Sequence, residues 1–127
     1  MATWKQVHEI ASGLPEIETR GNEWRVRGKL VAWERPLRRT DLEALGDEAP
    51  SGDIIAIWLP GLDAKTALLA DGRGIYFTTP HFDGYRAILA RLEPMPVDEL
   101  EELILEAWID RAPKGLSRPF LSERGLD

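Results

Sequence analysis

Apolar residues recur three and four positions apart near the start of the chain, where Val7, Ile10, Ala11 and Leu14 form one stripe. The spacing predicts a helix over Trp4 to Ser12. Thr3 precedes it as an N-cap, Gln6 completes a capping box, and Gly13 and Pro15 end it. The period then shortens to two. Trp24 and Val26 alternate with Arg25 and Arg27, which predicts a half-buried strand with both arginines on one face. Gly28-Lys29 marks a turn, and Leu30 to Trp33 is the return strand. A polar connection from Arg35 to Gly52 follows, holding Pro36 and Pro50. Its middle, Thr40 to Gly46, has the make-up of one or two helical turns capped by Thr40. Ile54 to Leu59 is an apolar run rich in β-branched residues, the mark of an interior strand covered on both faces.

Pro60-Gly61 breaks that run, and a short helix is expected from Leu62 to Ala70, with Leu68 and Leu69 inward and Gly72 as the cap residue. Gly74 to Thr78 and Tyr85 to Leu92 read as two more strands around the turn pair Asp83-Gly84. Pro80 places the first of them at an end or an edge. A last helix follows Pro96, with Asp98 and Glu101 as a capping box. Val97, Leu100, Ile104, Ala107 and Trp108 share one face, with Glu99, Glu102, Glu106 and Asp110 outward and Pro113 as the stop. The expected order is α-β-β-β-α-β-β-α. That is an α+β fold with an antiparallel five-stranded sheet and helices on one face. Residues 1–115 form the expected single domain. Residues 116–127 are a C-terminal tail in which Phe120 and Leu121 dock locally.

Composition narrows the chemistry. The 127 residues include no cysteine, which excludes disulfides, thiolate metal sites and cysteine nucleophiles. Two histidines, His8 and His81, do not make a histidine-rich metal centre, so no metal and no cofactor is expected. The first residues lack the apolar run of a signal peptide and no window is apolar enough to span a membrane. The expected location is cytoplasmic.

Four stretches together resemble the MmcQ/YjbR-like family of small single-domain proteins. They are Ser12-Gly13-Leu14-Pro15-Glu16 after the first helix, Val26 to Trp33, the loop Thr79-Pro80-His81-Phe82-Asp83-Gly84-Tyr85, and Glu106-Ala107-Trp108 with Arg111-Ala112-Pro113-Lys114. The resemblance covers nearly the whole chain. It implies a fold similar to secretion chaperones, and members are commonly described as DNA-binding from a winged shape. It supplies no catalytic residue.

Charge is segregated along the chain. The overall formal charge is −6, yet Arg20 to Arg39 holds seven basic residues against two acids, whereas Glu93 to Asp110 holds seven acids and no base. Weak DNA binding is therefore one expected role of a non-enzymatic binding module, through Arg25, Arg27, Arg35, Arg38 and Arg39, joined by Lys114 and Arg118 of the basic tail. The alternative for these side chains is a solvated strand face paired with the surplus acids. A second role is protein interaction or homodimer formation through a sheet face bearing Trp33 and Trp58. A third is a small-ligand or enzyme site at the loop of His81, Asp83 and Tyr85, where an imidazole and a carboxylate stand two residues apart. The third role requires a cleft beside that loop.

Overall fold

The computed structural model describes residues 2–125. Helix α1 spans Trp4–Ser12, and the reciprocal Thr3–Gln6 capping box closes its start. Its Val7 and Ala11 are buried. Three antiparallel strands follow: β1 Ile17–Thr19, β2 Glu23–Val26 and β3 Lys29–Glu34. The two-residue turn between β2 and β3 is Arg27-Gly28, not Gly28-Lys29. Both residues have positive φ, +50° and +80°, as a hairpin turn matched to strand twist requires. Helix α2 occupies Arg39–Leu45 and leads through a 3₁₀ turn at Gly46–Glu48 to β4, Ile54–Trp58. Helix α3 spans Leu62–Leu69. Strands β5, Tyr76–Phe77, and β6, Ala87–Arg91, complete a six-stranded antiparallel sheet in the order β1-β2-β3-β4-β6-β5. Helix α4 runs Val97–Arg111 and helix α5 Lys114–Glu123.

The α+β class with an antiparallel sheet stands, and the detail changes. Six strands replace five, because the short β1 lies in a stretch without alternation that only pairing with β2 reveals. Part of the expected tail is α5, whose Phe120 ring meets Trp108 edge-on at 5.0 Å between centroids. The strand expected over 74–78 shrinks to Tyr76–Phe77 at the sheet edge, in keeping with Pro80 just beyond. Thr40 is not the cap of α2. Arg38 holds that position, and its backbone N–H donates to Asp41 Oδ2 at 2.8 Å. Helix α4 starts from Pro96 without a side-chain cap, so Asp98 and Glu99 act as acids in its first turn.

Both faces of the sheet are covered, one by helices and the other by residues of strands and loops. On one side Val7 and Ala11 of α1 and Leu100, Ile104 and Trp108 of α4 pack on Trp24, Val26, Val31, Ile55, Ile57 and Ile88. On the other, Ile54, Ala56, Ala87 and Leu89 form a smaller cluster closed by Phe82, with Leu37 and Trp33 at its margin. The unbroken apolar run of β4 is explained by this: Ile55 and Ile57 enter the first cluster, Ile54 and Ala56 the second. Ile57 is fully buried between Ala32 and Ile88. Ile57→Ala should cost about 2–5 kcal/mol in urea unfolding with an unchanged m-value. Leu42→Ala, on an exposed side chain, should stay within about 0.5 kcal/mol.

Candidate functional site

At the end of β3 the chain leaves the sheet. Arg35 N–H still donates to Ile54 O at 2.9 Å, and Pro36 then prevents the strand from continuing as a paired interior strand. Arg35 is 7% exposed. Its Nη2 lies 3.1 Å from Asp41 Oδ2, Nη1 donates to the Pro36 carbonyl, and the guanidinium carbon stands 5.3 Å from the Phe82 ring centroid. A charge this deep requires a partner, and Asp41 is as deeply placed. Burial alone would raise the Asp41 carboxyl. The Arg38 amide and the Arg35 guanidinium outweigh it and hold its pKa below the ordinary value.

The opposite wall is the loop from Thr79 to Tyr85. Phe82 and Asp83 N–H both donate to Thr79 O, at 2.8 and 2.9 Å, and Tyr85 N–H donates to Phe82 O at 3.0 Å. Gly84 takes φ +76°, which lets the chain turn tightly into β6. Phe82 is buried in the second cluster. Lys65 of α3, 5% exposed, reaches beneath the loop and donates to the carbonyls of Phe82 and, at 2.8 Å, Tyr85. Burial pushes its pKa below the ordinary lysine value, against the pull of Asp83.

Between these walls lies a cleft of about 630 Å³ lined by Trp33, Glu34, Arg35, Pro36, Arg38, His81, Phe82 and Tyr85. Its volume falls in the range of small-molecule sites. The ring chain continues outward: His81 meets Phe82 edge-on at 5.3 Å, Phe82 meets Tyr85 at 5.9 Å, and Tyr85 meets Trp58 at 5.7 Å. Tyr85 is 43% exposed.

The structure thus joins Trp33, Arg35, Arg38, His81 and Tyr85, and it separates the rest. Arg25 forks onto Glu23, at 3.3 and 3.2 Å, and onto Gly28 O. Arg27 is not on the strand face with it. In the turn, Arg27 binds Glu16 at 2.5 and 3.0 Å; this pairing raises the Arg27 pKa and lowers that of Glu16. Arg39 pairs with Glu43 one helical turn on, at 3.2 Å. Lys114 and Arg118 are exposed on α5, which docks on α4 across the sheet from the cleft. By register Trp58 leaves β4 on the same sheet face as Trp33, two residues from the Trp33 partner Ala56 and opposite Ala87, but at the strand end its ring reaches α4 and does not line the cleft. Its Nε1 donates to Asp110 Oδ2 of α4 at 2.7 Å, and Arg111 stacks on its ring at 3.2 Å. Asp83 accepts from the Thr78 hydroxyl, and among the described residues no hydrogen bond joins it to His81. Sequence pattern singled out neither Asp41 nor Lys65. A charged residue within an amphipathic stretch reads as solvated until the partner beneath it is known.

The uncharacterized protein Rv2570 of Mycobacterium tuberculosis (strain H37Rv) and the uncharacterized protein Mb2600 of Mycobacterium bovis are each 54% identical to this chain over 129 residues. The alignment covers 98% of this chain and 100% of each relative. The chain belongs to the family of these mycobacterial proteins. No family model and no solved structure matches it.

Two substitutions test how the cleft is held. Asp41→Asn, which leaves Arg35 buried without a counter-charge, should cost about 3–5 kcal/mol in chemical unfolding. Because the native carboxyl has the lower pKa, the unfolded chain takes up its proton first. The contribution of Asp41 is therefore complete above about pH 4 and is lost as pH falls through the native value. The acid slope of stability should be shallower in D41N than in the parent chain. Lys65→Met strands one buried and one part-buried carbonyl and should cost about 1–3 kcal/mol. Hydrogen exchange should then quicken at Phe82, Asp83 and Tyr85 while β4 and β6 stay protected.

Proposed function

We propose that the chain is a non-enzymatic binding module of the MmcQ/YjbR-like type that takes a small ligand in the cleft between the β3–α2 connection and the Thr79–Tyr85 loop. One observation carries this reading. Residues far apart in the chain, Trp33 to Arg38 and His81 to Tyr85, line one cleft of about 630 Å³ with aromatic walls and a fixed floor. The floor is rigid because Arg35 and Asp41 neutralise each other beneath it. The polar groups that face the cleft are an imidazole, a phenol, a carboxylate and guanidinium groups, a set suited to orienting a bound molecule. The pairing of Arg25, Arg27, Arg35 and Arg39 with carboxylates favours a small ligand over a duplex as the occupant.

The test is an amide and indole NMR titration with planar fragments, indole, indole-3-acetate and quinoline. The expected result is shifts at the Trp33 indole and at the amides of His81, Phe82 and Tyr85, abolished in Trp33→Ala and reduced in Trp33→Phe. Fragments that move no cleft resonance would overturn the reading. So would a short DNA duplex that binds at low salt through Arg25, Arg27 and Arg39 while the cleft stays silent.

A further inference from the structure

We infer that the occupant of the cleft is a planar ring bearing an anionic group and a hydrogen-bond donor, with the size and chemistry of a nucleoside monophosphate. This rests on the cleft reading above and names its ligand class. Three features of the rim lead to it.

Arg38 is the first. Of the five arginines between Arg25 and Arg39, the other four hold carboxylates, at 2.5 to 3.2 Å. The Arg38 side chain is exposed, lines the cleft and has no carboxylate partner among the described residues. Arg35, on the same lining, is already neutralised by Asp41. The cleft therefore offers one uncommitted guanidinium at its rim, fit for a phosphate in bidentate fashion.

The walls are the second. Trp33 and Tyr85 are partly exposed rings, His81 is exposed, and Phe82 supports them from below. Such walls hold a flat heteroaromatic ring by stacking, which does not depend on ring identity.

Glu34 is the third. Its Oε1 accepts from Asn22 Nδ2 at 2.9 Å, which fixes the carboxylate and leaves Oε2 without a partner among the described residues. An acceptor on the same lining as Arg38 disfavours a purely anionic aromatic acid. It suits a ligand that also carries an amino group or hydroxyls, as a base and ribose do.

Calorimetric titration at low salt with AMP, GMP, CMP and UMP, set against adenosine, inorganic phosphate and indole-3-acetate, tests the assignment. A nucleoside monophosphate should bind about tenfold or more tightly than adenosine. Arg38→Ala, and Arg38→Gln as a milder change, should bring AMP to the level of adenosine without altering adenosine itself. Arg39→Ala should leave both unchanged. A short single-stranded oligonucleotide that outcompetes AMP at the cleft would show that the nucleotide is read as part of a strand, and would overturn the free-nucleotide assignment. If adenosine and AMP bind equally, or if Arg38→Ala changes neither, the ligand class falls. The cleft itself then still stands provided that indole-3-acetate moves the Trp33 indole. If neither nucleotides nor indole-3-acetate perturb the cleft, both readings fall.

Discussion

The Arg35–Asp41 pair is the constraint on which the candidate site depends. Two opposite charges, both almost removed from water, sit 3.1 Å apart beneath the β3–α2 connection. Each alone would be untenable at that depth, so the connection has one arrangement in which both are satisfied. The Arg38 amide and the Pro36 carbonyl are drawn into the same network. In a domain whose total stability is typically about 5–15 kcal/mol, a penalty of about 3–5 kcal/mol for breaking such a pair is enough to select one path for a polar segment that contributes few apolar side chains to the core.

The sheet supplies the platform on which that network acts. Its first face is covered in the ordinary way, by α1 and α4 with a continuous apolar cluster. The second face is covered thinly, by Phe82, Leu37 and the margin of Trp33. Thin coverage leaves room for a cleft, and the buried charges beside it keep that room from collapsing. Trp58 shows the contrast. Held by Asp110 and stacked under Arg111, it ties the end of β4 to α4 and packs against the edge of the first cluster.

Much of the fold was legible where local rules and burial agree. The α1 stripe with its capping box, the apolar β4 run and the amphipathic α4 each appear close to where the periodicity places them. The failures have physical causes. Strand β1 exists through its pairing with β2, since Ile17-Glu18-Thr19 carries no pattern of its own. Arg27 alternates like a strand residue, yet the turn needed a second positive-φ position and took it. Leu69 fits a helical stripe but is exposed, while Lys65 is buried because two loop carbonyls need its donors. At the site, Trp33, the arginines after it and the His81 loop stood out as residue types. Their meeting in one cleft depends on contacts across the sheet that no local spacing encodes.

Lys65 has a kinetic consequence. Because its ammonium fastens the turn at Phe82 and Tyr85 from inside the protein, the wall of the cleft is held by the chain's own contacts. A molecule arriving there meets a finished surface. A ligand of the proposed class would then dock by diffusion and water release, with little ordering entropy to lose.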